Sequence, residues 1–306
     1  QTLARMAENP QFFSGFDAAA YKDTIRANIE YSLTALGMGE IGIIVLMPML
    51  IAALLFGEEK RCKTLELLAT MPFGRWEVFF NKALIALLNI IFPFAANALI
   101  LIIALGFSSG LREFYTAGMV VAWLGTNGFR LFIILAFSLL FAALTGNTIS
   151  QLVLTFIFFI FPIGFAGLLE MNMMLWGYDT MLTAKFLDNF ARYTLPGTLG
   201  WLGDVPLAYH LAWAAVMLIA AKLLFDRNKL ERSGETLEFE SLETFFKAGV
   251  SVCISLLAGV IFYGIAERLN LSLVSNEMYI ILGYIAGLFG GWYIASYSIK
   301  TSRVKL

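Results

Sequence analysis

From Leu131 to Leu169 the chain carries no charged residue. A bilayer crossing takes about 20 mostly apolar residues at a rise of about 1.5 Å each, so this run is long enough for two crossings. The stretch "TGNT", Thr145 to Thr148, is the natural turn between them. Composition points the same way. The chain is 59% hydrophobic and 14% charged, with a mean hydropathy of +0.79, whereas soluble domains average roughly 25% charged residues. The fold class expected is an all-α polytopic membrane protein. The net charge of −1 gives no sign of a nucleic-acid partner. Two cysteines, Cys62 and Cys253, and a single histidine, His210, show no metal or redox spacing.

Charged residues bound the other spans. The segments expected to cross are 39–57, 83–106, a hairpin over 124–169, 207–225, 248–266 and 277–299, seven spans in all. The first arm of the hairpin is too short from Leu131 alone. It must recruit Arg130, which is costly inside a bilayer unless it snorkels or finds a partner. Residues 107–123 are set down as an outer loop with an interfacial helix, or else they lengthen that arm. The 170–206 loop carries Trp176, Tyr178, Tyr193 and Trp201, which suggests re-entrant or interfacial helices. His210 is read as an interfacial residue near the outer end of its span.

Orientation follows from Lys and Arg in the loops. Segment 58–82 has five, the loop from Lys222 to Lys247 has five and the tail 300–306 has three, against two in 170–206. Segments 58–82, 226–247 and 300–306 are therefore expected in the cytoplasm, and residues 1–38 outside it. An odd span count, a cytoplasmic C-terminus and a first residue that is Gln1 together lead to the expectation of an eighth span upstream.

Segment 58–82 concentrates charge in a patterned form. Cys62, Leu65, Leu68, Ala69 and Met71 recur at helical spacing, with Lys60, Lys63 and Glu66 on other faces. "MPFG", Met71 to Gly74, ends that helix, because a residue before proline avoids the α region. A second helix starts near Arg75, with Trp76 at the interface and Lys82 placed to snorkel. The segment is either a solvated loop obeying the positive-inside bias or a docking helix for a soluble partner.

The stretch resembles the signature of ABC-2-type permeases, the transmembrane subunits of one class of ATP-driven transporters. That signature reads, loosely, E-x4-T-[LI]-E-x-L-x3-P-x2-R-x6-K, and the chain supplies Glu59, Thr64, Leu65, Glu66, Leu68, Pro72, Arg75 and Lys82 in register. Lys63 departs from the usual glycine. A second loop, "RNKLERSGETLEFES", resembles that of a subgroup through Glu231, Gly234 and Phe239. This subgroup includes permeases of the phenol-soluble-modulin and acetoin-associated exporter systems of Firmicutes.

The resemblance implies a type V exporter-like fold in the bacterial cytoplasmic membrane and a non-catalytic role. The chain has no phosphate-cradling G-x4-G-K-[ST] loop, so ATP and Mg2+ belong to a separate ABC ATPase subunit in two copies. A second permease chain, identical or not, completes the complex. Glu58, Glu59, Lys60, Arg61, Thr64, Leu65, Leu68, Pro72 and Arg75 are the implied ATPase-coupling residues, with the leucines buried in the partner and the charges setting register at its rim. Asn127, Arg130, Thr145, Asn147 and Gln151 are candidates for the translocation path, or else ordinary interhelical hydrogen-bonding residues. Export of an amphipathic or hydrophobic substrate, such as a peptide, suits the aromatic, charge-poor spans. The alternatives are a secondary transporter of a hydrophobic small molecule, for which Arg130 is the one ionisable residue at span depth, and a membrane enzyme, for which the loops offer no cluster.

Overall fold

The computed structural model describes residues 18–34, 38–61, 72, 74–197, 205–227, 240–269 and 275–304. Every regular element among them is helical. In chain order these are α1 (Ala18–Thr34), α2 (Met38–Ala52), a π-helical turn (Ala53–Gly57), α3 (Glu58–Arg61), α4 (Arg75–Phe107), a 3-10 turn (Ser109–Glu113), α5 (Ala117–Leu144), α6 (Thr148–Leu175), α7 (Thr180–Arg192), α8 (Leu207–Arg227), α9 (Glu240–Arg268) and α10 (Asn276–Val304). Seven of the described segments are long and apolar enough to cross a bilayer. They are Gly42–Lys60, Arg75–Phe107, Ala117–Leu144, Thr148–Leu175, Leu207–Arg227, Glu243–Arg268 and Glu277–Lys300. The protein is all-α and polytopic, and large apolar side chains such as Phe92, Phe107 and Phe289 stand exposed on its helices, as a lipid solvent allows.

The chain divides into two compact units. The first comprises Gln1–Ile44 and Asn89–Phe129. Its core is Ala98, Leu105, Tyr115 and Val120, packed by Ile29, Leu33, Leu101 and Trp123. The turn between α4 and α5 is tied down by Arg112, whose Nε donates to the Leu105 carbonyl at 2.9 Å, and by Tyr115, whose hydroxyl donates to the Leu101 carbonyl at 3.1 Å. Lys22 of α1 pairs with Glu113 at 2.9 Å. In α4, Asn97 Nδ2 donates to the Pro93 carbonyl at 2.9 Å, so one of the polar groups near that proline is satisfied within its own helix. Residues 117–123, set apart in the sequence as interfacial or as part of the next span, are continuous with α5.

The second unit comprises Val45–Leu88 and Arg130–Leu306. The C-terminal part of α5 is apolar on every side, and Leu131, Ile133, Ile134, Ala136, Leu139, Ala142 and Ala143 are all buried, the pattern of a central helix. Phe56, Phe79 and Phe225 form an aromatic cluster with ring centroids 5.4 to 5.9 Å apart. The amphipathic α7 lies in the loop where interfacial helices are expected. Asp179 caps it by accepting from the Met181 N–H at 2.8 Å.

Helices α9 and α10 meet through small residues. A Cβ at Gly283 would stand 2.6 Å from the Ala258 carbonyl oxygen, at Gly287 2.5 Å from Ser255 Cα, and at Gly291 2.7 Å from Ser251 Cα. Glycines four apart on α10 thus face Ser251, Ser255 and Gly259, also four apart, on α9. This is the small-residue packing by which membrane helices approach closely where lipid supplies no hydrophobic drive. Ser255 Oγ donates to the Tyr284 carbonyl at 2.9 Å across the contact. The Tyr284 hydroxyl donates to Asn172 Oδ1 at 2.6 Å and accepts from Trp176 Nε1 at 3.0 Å, which ties the pair to α6.

Candidate functional site

Two helix ends meet at the turn Thr145–Asn147. There α5 leaves its last carbonyls without helical donors, and α6 begins with N–H groups that have no helical acceptors. Asn147 caps α6 by accepting from the Ser150 N–H at 2.8 Å. Further bonds come from the short helix α3. Lys60 Nζ donates to the carbonyls of Ala142 and Thr145, each at 2.8 Å. The Glu58 carboxylate accepts from the Thr148 hydroxyl at 2.9 Å. A cation therefore sits on the negative end of α5 and an anion beside the positive end of α6, each complementing a helix dipole. Lys60 is 1% exposed. Hydrogen bonds to a charged group contribute about 1.5–3 kcal/mol each, and a buried ammonium without them would not be tolerated in this place.

Glu59 faces the other way and pairs with Lys82 of α4. Lys82 also donates to the Leu55 carbonyl at 3.4 Å and stands 5.3 Å from the centroid of the Phe56 ring. Pro72 is exposed in a bend, and α4 starts at Arg75. Gly74 precedes it, and its N–H donates to Glu77 Oε2 at 3.2 Å while its carbonyl accepts from the Glu77 N–H at 2.9 Å, half of a capping box. Arg75 itself donates to the Asp226 carbonyl at 2.9 Å, near the end of α8.

The implied coupling residues thus separate. Glu58, Glu59 and Lys60 contact the rest of the chain, and Arg75 reaches α8. Thr64, Leu65 and Leu68, with Cys62, Lys63 and Glu66, lie outside the described residues, as do Glu231, Gly234 and Phe239. The side chain of Arg61 does too, although its backbone closes α3.

The candidate path residues separate as well. Asn127 lines a cavity of about 350 Å3 in the first unit, with Phe94, Asn97 and Trp123. Arg130 is 5% exposed within α5 and lies fifteen residues, about 22 Å of helix, before Thr145. Thr145, Asn147 and Gln151 gather at the α5–α6 turn. Thr145 Oγ1 donates to the Phe141 carbonyl at 2.8 Å. The Gln151 side chain is 1% exposed, and neither Oε1 nor Nε2 has a hydrogen-bond partner among the described residues. His210, expected at an interface, is 1% exposed and lines a cavity of about 460 Å3 with Tyr193, Tyr209 and Trp213.

What sequence reasoning missed is the function of Lys60. Its partners are backbone carbonyls more than eighty residues later, and a backbone acceptor leaves no trace in residue spacing. The small-residue register of α9 and α10 was also missed, although Gly283, Gly287 and Gly291 show it directly.

The fold defines a polytopic membrane protein whose α5–α6 turn is clamped from α3. Residues 11–162, about half of the chain, match the family model described as ABC-2 family transporter protein. That match runs through the first three membrane helices, the clamp and the turn into α6. This portion of the chain is similar to ABC-2 family transporter proteins, which supports the family resemblance read from Glu59 to Lys82. No curated protein matches the chain, and no solved structure does.

Proposed function

We propose that the chain is the permease subunit of an ATP-driven ABC exporter in the bacterial cytoplasmic membrane. ABC-2 permeases generally pair with an ABC ATPase subunit. In this reading two ATPase copies hold ATP and Mg2+, a second permease chain completes the complex, and the α5–α6 turn and the C-terminus face the cytoplasm. The ATPase engages the segment after α3 through Leu65 and Leu68. ATP-driven closure of the ATPase pair shifts the population of permease conformations through that segment.

The observation that carries this reading is the clamp. The charged turn that opens the family signature is bonded through Glu58 and Lys60 to both ends of the α5–α6 turn. A pull on the segment after Arg61 therefore acts directly on a membrane hairpin. Glu58 and Lys60 are then positioning residues of the coupling path. Arg61, Thr64 and Pro72 flank the docking face, and Arg75 extends the path to α8.

The cargo proposed is amphipathic or hydrophobic, a peptide being the leading form, as the resemblance to phenol-soluble-modulin exporters implies. Supporting it is a cavity of about 720 Å3 between α4, α5 and α8. Its lining is apolar except for Lys222, which pairs with Asp226 at 2.9 Å and stands 5.5 Å from the centroid of the Trp76 ring. Such a site fits a predominantly apolar body.

The test is co-purification with an ABC ATPase, followed by ATP hydrolysis in proteoliposomes with the double variant Leu65→Asp, Leu68→Asp. The variant is expected to insert normally and to lose both the ATPase and permease-stimulated hydrolysis. Retained stimulation would refute the docking role. A second reading, a secondary transporter, draws on Arg130, a buried guanidinium at span depth. Ion-gradient-driven transport in liposomes free of ATPase would establish it.

A further inference from the structure

Three features converge on one contact in the second unit. The first is the π-helical turn Ala53–Gly57, in which the Glu58 N–H donates to the Ala53 carbonyl five residues back. Such turns are rare, carry one residue more than an α-helical turn and mark functional positions. The second is Gly57. A Cβ there would stand 2.7 Å from Thr148 Cα, 3.0 Å from Thr148 N and 3.0 Å from Gln151 Oε1. The π turn is thereby pressed against the first turn of α6, at a distance that only glycine permits. The third is Gln151, whose amide is buried in this contact with both polar atoms lacking a hydrogen-bond partner among the described residues. In an apolar interior such an amide costs free energy that a methionine of similar length would not.

We infer that Gly57 and Gln151 form a two-position latch in which the π turn closes to α geometry during coupling and the Gln151 amide takes over the bonds that Glu58 and Lys60 release. This rests on the reading of the chain as an ATPase-coupled permease. Removing the extra residue of a π turn rotates the residues beyond it by roughly 100° about the helix axis. Glu58 and Lys60 sit immediately past the turn, so that rotation swings both away from the α5–α6 turn. The Thr148 hydroxyl then loses the Glu58 carboxylate. Thr148 stands one helical turn before Gln151, a spacing at which side chains on one face meet, so Oε1 can accept from that hydroxyl. Nε2 can donate to a carbonyl that Lys60 leaves. The amide lacks partners among the described residues because its partners belong to the other arrangement. The second arrangement keeps two bonds where the clamp has three, and a partner subunit that binds it preferentially shifts the balance.

The test is Gln151→Met in the full-length chain, alone and in complex with its ATPase. The chain alone is expected to melt a few degrees higher than wild type, because the resting arrangement loses an unsatisfied amide. The complex is expected to lose at least about fivefold in the kcat of permease-coupled ATP hydrolysis, with KM for ATP unchanged, because the second arrangement loses its bonds. A residue that only stabilises the fold would move both quantities in the same direction. A melting temperature equal to or below wild type would overturn the latch, and so would an unchanged kcat. Gly57→Ala supplies the converse. It is expected to lower the melting temperature and shift the complex away from the resting arrangement, and wild-type melting of the Gly57→Ala chain would also count against the latch. If the wild-type chain binds no ATPase, the exporter reading fails. The melting comparison still decides whether the amide is unsatisfied at rest.

Discussion

Two helix hairpins in the second unit are held together by opposite means. Helices α9 and α10 touch through glycine and serine, backbone against backbone, with one hydroxyl bond across the contact. Helices α5 and α6 are joined at their turn by charge supplied from a third element, through Lys60 and Glu58. Close backbone packing has one good geometry and a steep cost for leaving it. A cation on carbonyls and an anion on a hydroxyl can exchange partners when the element that carries them moves. The first hairpin is held by its own packing, whereas the second is held by bonds to a third element.

The largest expected effect breaks the fixed hairpin. Gly287→Leu places a side chain where 2.5 Å separates Cβ from Ser255 Cα. It is expected to cost about 3 kcal/mol or more, seen as loss of monodisperse protein or a sharply lowered melting temperature in detergent. Lys60→Met comes next. It leaves two carbonyls of the last α5 turn without their donor but also removes a buried charge, which offsets part of the loss, so about 2–3 kcal/mol is expected. Unlike Gly287→Leu, it is expected to leave the chain inserted while permease-coupled hydrolysis is lost. Lys82→Met removes the partner of Glu59 and is expected to cost about 1 kcal/mol, within the range for a partly exposed pair, with hydrolysis reduced but present. The smallest is Arg75→Ala. Its bond to the Asp226 carbonyl is exposed, and about 0.5–1 kcal/mol is expected, with a shift in melting near the limit of detection. If Lys60→Met unfolded the protein as thoroughly as Gly287→Leu, the contrast between the hairpins would disappear.

The fold was legible where physics is local. A charge-free run of two span lengths with Thr145-Gly-Asn-Thr148 in its middle can only be a hairpin in lipid, and the structure turns at Thr145–Asn147. Pro72 and Gly74 mark the start of α4 at Arg75 through backbone constraints alone. Trp176, Tyr178, Tyr193 and Trp201 led to the expectation of interfacial helices in the 170–206 loop, and the structure places the amphipathic α7, Thr180–Arg192, within it. The site was only partly legible. Signature spacing picked out the neighbourhood of Glu58 to Lys60, yet it suggested a rim facing a partner. Whether a lysine faces water or caps a distant helix is decided by tertiary contact. Arg130 and Asn127 looked like companions of Thr145 and Gln151 because all are polar residues in apolar helices. Helical rise separates Arg130 from the turn by several turns, which polarity alone does not register.

The clamp on the α5–α6 turn is expected to open when the ATPase binds nucleotide. Thr145 reports on it, being 1% exposed beneath Lys60. A Thr145→Cys variant, with Cys62 and Cys253 replaced by serine, can be assembled with the ATPase in nanodiscs and exposed to a membrane-impermeant maleimide. The thiol is expected to be protected without nucleotide and labelled several-fold faster with a non-hydrolysable ATP analogue. A labelling rate that nucleotide leaves unchanged would contradict the account.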